Sequence, residues 1–323
     1  MTRKIFKYLF FSIPVLILLV YILNQRSPFG GRNSSFASRP EKEITKIIFT
    51  SRSASLILEK KGEEWIVNNK YETRKSSIQF ILKILTEIQI KSPVSPELYN
   101  EEIINKNVAP VRVRVFEHRK VIGSFLVYKT RSNTFGNIMK MREGSKPFIV
   151  YVPGNEIEIG SAFTVNELFW LPYTVFSLLP SEILSVRFEN LTDTGSSFMI
   201  KNENRKYILF DMKKALIGWD TSRTIRYLSY FTHVPFETWA FDLSADEKEK
   251  IKKEVPVYKI SVDKTSGEKI VLTLWGRSVD KNGIKIKDTD RLWGKTDAMD
   301  EIFIIRYLDI DPLIKKRSYF FPG

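Results

Sequence analysis

One pattern of apolar residues occurs twice along the chain, and any fold must accommodate both copies. In the first copy Glu43 and Ile44 lead to Ile47 and Phe49. In the second Glu182 and Ile183 lead to Val186 and Phe188, at the same spacing. A hairpin follows each, through Ser55, Leu56, Ile57 and Leu58 or through Ser197, Phe198, Met199 and Ile200. Trp65 then opens a third strand in copy one, and Tyr207 opens it in copy two. Each copy continues with a helix. Ile78, Ile81, Leu82, Leu85 and Ile88 fall at helical spacing, with Ser76 or Ser77 as the cap; Ile225, Leu228 and Phe231 do the same, with Asp220, Thr221 or Ser222 as the cap. Copy one closes its helix with a short strand around Ile88, Gln89 and Ile90.

A second module begins at a proline in each copy. Pro110 precedes the strict alternation of Val111, Val113 and Val115, and Pro256 precedes Val257, Ile260 and Val262. Strands at 121–128 and 269–275 follow, the latter entered through the turn chemistry of 263–269. A hairpin through 138–152, turning near Gly144, corresponds to one through 284–308 whose longer loop holds Trp293. The aromatic segment 163–183 bridges the copies as a helix or loop.

Ahead of the repeats, residues 5–24 are almost entirely apolar, about the length that crosses a bilayer as a helix. Pro14 would kink that helix, and Arg3, Lys4 and Lys7 before it favour a cytoplasmic N-terminus. No small-x-small cleavage site follows, which favours an uncleaved anchor over a signal peptide. The organisation expected is a cytoplasmic stub and transmembrane anchor at 1–24, a flexible tether at 25–43, a first α+β repeat with linker at 44–180 and a second at 181–323. The fold class expected is α+β: an N-terminal transmembrane helix followed by a duplicated ectodomain of antiparallel sheets with few helices. The bulk of the chain would then be periplasmic, at the inner membrane.

The chain has no cysteine, which excludes disulfides, thiolate metal sites and cysteine nucleophiles. Its net charge is +14, of which the first 44 residues, with seven Lys/Arg and two Asp/Glu, carry +5. No RNP-like motif or concentrated basic tract accompanies that charge, so nucleic acid is not an expected partner.

Chemistry-bearing motifs are few. Asp193-Thr194-Gly195-Ser196-Ser197 matches the loop of pepsin-like aspartic proteases, which need two such loops. The nearest echo, Asp220-Thr221-Ser222, lacks the glycine, and the loop that corresponds by the repeat, Thr50 to Ala54, is three residues shorter and has no carboxylate. A hairpin turn is the expected role. His118 reads as an exposed turn residue and His233 as structural. Asp288 with Asp290, and Asp309 with Asp311, share strand faces by alternation, without calcium-loop spacing. Gly294-Lys295-Thr296 is not a phosphate loop, because Thr289 stands where its glycine belongs. No catalytic residue, metal ligand or cofactor is assigned. The aromatic clusters Phe169, Trp170, Tyr173 and Phe176, and Tyr227, Tyr230 and Phe231, have helical spacing that suits a core. Trp170 and Tyr173, with Tyr319, Phe320 and Phe321 near the C-terminus, are the candidate partner-binding residues.

The apolar anchor, "ITKIIF" with "LILEKKGEEWIV", the helix, "PVRVRVF", "FIVYVPG" and "FSLLPSEILSVRF" together resemble the bacterial envelope domain-of-unknown-function family four-three-four-zero, over most of 44–242. The resemblance implies an accessory envelope role, since members often lie beside gliding-associated ABC-type transport components. It carries over no catalytic residue. The function expected is a non-enzymatic, single-pass envelope protein serving as accessory or scaffold subunit of a membrane complex for ABC-type transport, secretion or gliding. Its partners would be the membrane and other envelope proteins, ABC-type transporter components among them. The alternative is a periplasmic module that binds glycan, lipid or peptide in an aromatic pocket. A hydrolase using Asp193 is the third reading.

Overall fold

The computed structural model describes residues 35–130, 137–154, 159–203, 206–281 and 283–322. They form two compact units, one ending at Pro172 and the other beginning at Tyr173. Each unit is built on one antiparallel sheet. The transmembrane helix expected in the fold class is corrected here: among the described residues no helix is long and apolar enough to cross a membrane. What the described chain shows is repeated antiparallel sheets with few helices. Residues 5–24, on which the expectation fell, lie outside the described residues.

In the first unit β1 (Lys46–Thr50), β2 (Ser55–Lys61) and β3 (Glu64–Val67) form a meander, extended by the short β4 (Tyr71–Glu72). Helix α1 (Lys75–Glu87) then crosses to β5 (Gln89–Pro93) at the opposite edge. Between them lie β6 (Val111–Glu117), β7 (Lys120–Tyr128), β8 (Asn137–Lys140) and β9 (Phe148–Tyr151), giving the order β4-β3-β2-β1-β6-β7-β8-β9-β5. The second unit opens with β10 (Thr174–Phe176), which pairs only with β14 (Val234–Pro235) among the described residues. Its main sheet contains β11 (Ile183–Asn190), β12 (Phe198–Glu203), β13 (Lys206–Phe210), β15 (Thr238–Trp239), β16 (Tyr258–Lys264), β17 (Lys269–Lys281), β18 (Ile284–Thr296) and β19 (Phe303–Arg306). The order β13-β12-β11-β16-β17-β18-β19-β15 repeats that of the first sheet, strand for strand, once β4 is set aside.

Register carries the same repetition. Ile47 faces Leu58 and Val115, and Phe49 faces Leu56 and Val113. In the second sheet Val186 faces Ile200 and Val262, and Phe188 faces Phe198 and Ile260. All of these side chains are buried. A one-residue slip would turn each row out to solvent, so burial pins the register in both sheets.

The helices differ from expectation in detail. Helix α1 buries Ile78, Ile81, Ile84 and Leu85, while Leu82 is half-buried. It begins at Lys75 after Arg74, so neither Ser76 nor Ser77 caps it; the Ser77 hydroxyl instead accepts from Arg74 Nε at 2.8 Å. Helix α2 (Thr221–Ser229) is capped by Asp220, whose carboxylate accepts from the N–H groups of Ser222 and Arg223. Its buried stripe is Thr224, Tyr227 and Leu228, with Phe231 one turn on; Ile225 is 49% exposed. A third helix, α3 (Ala245–Lys253), starts on a reciprocal capping box between Ser244 and Glu247. The bridging segment is a series of short turns around β10 rather than a helix.

Residues 35–43, the described part of the expected tether, lie against the first sheet. Phe36 is buried, edge-on to Phe125 at 6.0 Å and Phe148 at 6.2 Å. The Ser38 N–H donates to Leu85 O. The buried Glu117 carboxylate accepts from the N–H groups of Lys42 and Glu41, and these backbone donors hold its pKa below the usual glutamate value. Burying one phenylalanine stabilises by about 1.5–3 kcal/mol, comparable to the cost of ordering one or two residues of backbone. The Gly/Ser/Pro-rich composition of the segment conceals that single anchor.

Candidate functional site

The turn that carries the protease-like string connects β11 to β12. Asn190 organises it: its side-chain oxygen accepts from the N–H groups of Thr192 and Asp193 at 3.1 and 3.0 Å, and its own N–H donates to the Ser197 hydroxyl. Thr194 to Ser196 form one 3-10 turn, and Asp193 is exposed. These bonds satisfy the backbone of an irregular connection three residues longer than that joining β1 to β2. Asp193 and Gly195 border a cleft of about 480 Å³ with Lys316, Arg317, Ser318 and Phe321. In the first unit a cleft of about 420 Å³ flanks the corresponding turn, beside Ser51, Arg52, Arg112 and Tyr128. Arg112 is there paired with Glu143 at 3.3 Å, and burial followed by hydrogen bonding to Tyr99 pushes the Tyr128 phenol up.

The candidate partner-binding residues divide by burial. Trp170 is fully buried, stacked on Phe49 at 5.5 Å, with its indole N–H on Thr164 O. Phe320 is fully buried between Phe198 and Tyr227, with ring centroids at 4.7 and 5.3 Å. Neither ring is available to a partner. Tyr173 is half-buried, stacked on Phe236 at 5.2 Å. Tyr319 and Phe321 are half-buried on either side of the Phe320 plug. Burial, then a hydrogen bond with Tyr230, raises the Tyr319 phenol. Arg223 donates to the carbonyls of Tyr319 and Phe321, and Asp220 N–H donates to that of Phe320. The segment is thus bolted to α2, and it seals the second core.

The histidines are both exposed, His118 in a hairpin turn at φ +52°. Asp309 and Asp311 do not lie on a strand, whereas Asp288 and Asp290 are both in β18. Asp309 lies in a one-turn helix, Tyr307–Ile310, held by two bonds from Arg306, and Asp311 pairs with Lys315. Asp288 is buried and Asp290 exposed. Among the described residues no three His, Cys, Asp or Glu side chains gather as a metal site would need. Gly294 has a packing role: a Cβ there would fall 2.3 Å from the Phe303 ring. Trp293 is in β18 rather than in a loop, facing Trp275 across the pair.

The most exposed apolar structure on the second sheet is the far end of the β17–β18 hairpin. β16 pairs with β17 only as far as Leu274, and β19 pairs with β18 only from Arg291. Beyond those points the two strands continue alone, pairing Ser278 with Lys287, Val279 with Ile286 and Asp280 with Lys285. By alternation Val279, Ile284 and Ile286 share one face, and Ser278, Asp280, Lys285 and Lys287 the other. Ile284 is 65% and Ile286 40% exposed. The tip turns at Gly283, whose φ of +81° suits glycine and whose N–H bonds the Asp280 carboxylate.

The base of this arm is a bulge in β18, where residues 288–291 stand between the Gly276–Leu292 and Ser278–Lys287 pairs, opposite Arg277. Asp288 fixes it. One carboxylate oxygen accepts from Arg277 at 2.8 Å, and the other from the N–H groups of Asp290 and Arg291 at 2.9 and 3.1 Å. The Arg277 guanidinium lies over the Trp293 ring at 4.9 Å. Sequence alternation located the strands but not the arm, because its signal is the absence of third-strand partners. Compared with known proteins, the chain matches no family model, no curated protein and no solved structure.

Proposed function

We propose that the protein is a non-enzymatic accessory or scaffold subunit that binds other proteins of a bacterial envelope complex, of the ABC-type transport, secretion or gliding kind. The observation that carries the reading is the amphipathic β17–β18 arm, with its exposed Ile284 and Ile286. Apolar side chains held out on a paired but otherwise unsupported hairpin cost solubility and gain nothing in folding, so a partner that covers them is the economical explanation. The envelope setting rests on the apolar run at 5–24 with basic residues before it, and on the sequence resemblance. Crosslinking in native membranes followed by affinity purification tests the proposal. Stoichiometric recovery of defined envelope proteins is expected; recovery of the protein only as a free monomer overturns it.

A further inference from the structure

The geometry points to a definite mode for that binding: the arm accepts an extended, acidic segment of a partner protein as an added β-strand. This inference rests on the scaffold reading and names its chemistry. Residues 278–281 and 284–287 bond only to each other among the described strands, so both outer edges present unpaired backbone N–H and C=O groups. Such an edge is completed by another strand, whose backbone supplies affinity while alternate side chains supply specificity. Here one face offers Val279, Ile284 and Ile286, and the other Lys285 and Lys287 against a single Asp280. The complementary strand alternates apolar with acidic residues.

Two other occupants fit less well. Insertion into lipid hydrocarbon would bury open strand edges with no hydrogen-bond partners, which bilayers do not tolerate. A second copy of the arm would set lysines opposite lysines, which destabilises a strand pair. The bulge pinned by Asp288 and Arg277 holds the arm in one direction, so little is lost in ordering it on binding.

The test uses the whole chain and a short fluorescein-labelled peptide of alternating Glu and Val. Fluorescence anisotropy is expected to show binding. The double variant Lys285→Glu/Lys287→Glu should weaken it by about tenfold or more. N-methylation of alternate peptide amides, which removes the edge hydrogen bonds and keeps the charge, should abolish it. Amide shifts should be confined to 278–281 and 284–287. Both lysines are exposed, and an unchanged urea midpoint for the double variant will show that it is folded. The inference is overturned by no peptide binding, by binding indifferent to N-methylation, by arm-dependent binding to phosphatidylglycerol vesicles in place of the peptide, or by arm-dependent self-association. If the purified partners are the same for wild type and double variant, strand addition fails and the scaffold reading survives. If no partner is recovered at all, the scaffold reading itself fails.

Discussion

Gly294 shows how much one missing Cβ contributes. The Phe303 ring rests on its backbone, stacked on Phe236 at 4.5 Å and edge-on to Trp239 at 6.0 Å. Gly294→Ala must push that stack apart or twist the β18–β19 ladder, and overpacking of this kind costs about 1–3 kcal/mol. A lowered urea midpoint with an unchanged slope is expected, and Phe303→Leu in the same chain should recover part of the loss. Asp220 gives a residue-scale pH dependence. Hydrogen bonds from the Ser222 hydroxyl and N–H hold its carboxyl below the ordinary aspartate value of 3.8. The stability it contributes is therefore complete above about pH 4 and lost as pH falls through the lower, folded value. Asp220→Asn keeps a competent cap and removes the charge. Melting temperature plotted against pH should be flatter for the variant below about pH 4, and unaltered slopes would refute the assignment.

At the scale of elements, packing decided what propensity left open. The stripe of α2 was misread because Ile225 is the most hydrophobic residue in its run, yet the face that meets the sheet carries Thr224 and Tyr227. Tyr227 is buried because its hydroxyl finds Leu313 O at 2.9 Å, a partner 86 residues away that no local pattern reveals. Asp288 shows the same effect, since its burial follows from Arg277 across the bulge. The strands were legible because both sheets bury one face, and alternation records burial directly. The segment before β1 was hidden by composition, which suggested a tether where one phenylalanine docks. Phe36→Ala should release it. Cleavage within 35–43 under limited proteolysis is expected to rise, with a stability loss of about 3–5 kcal/mol if the vacated site cannot collapse. Unchanged cleavage would show that the backbone bonds to Leu85 and Glu117 hold the segment without the ring.

Over the whole molecule the duplication was the most legible feature, down to the register of Phe49 and Phe188. What could not be read was which residues face outward. Trp170 and Phe320, chosen for aromatic character, close cores, whereas Ile284 and Ile286, unremarked in sequence, stand in solvent. Aromatic content reports burial and recognition alike, so it cannot separate them. Charge is the property that survives at this scale. With a net charge of +14, association with an acidic partner should be steered over distances near the Debye length, about 10 Å at 0.1 M salt and 3 Å at 1 M. The association rate measured by stopped flow is expected to fall with added salt more steeply than the dissociation rate rises; equal sensitivity of the two would argue against steering.

The arm also bears on how such a chain can change over generations. Its hydrogen bonds are internal to one hairpin, and its apolar side chains add nothing to the second core. Residues between the bulge and Gly283 can therefore be shortened, lengthened or rewritten with little penalty to folding, provided Asp288 and Arg277 remain. The inner strands of the sheet, by contrast, are locked by neighbours on both sides. Drift in recognition would then concentrate at a single hairpin tip, and relatives built on the same duplicated frame could differ in the length and charge of that tip while their sheets superimpose.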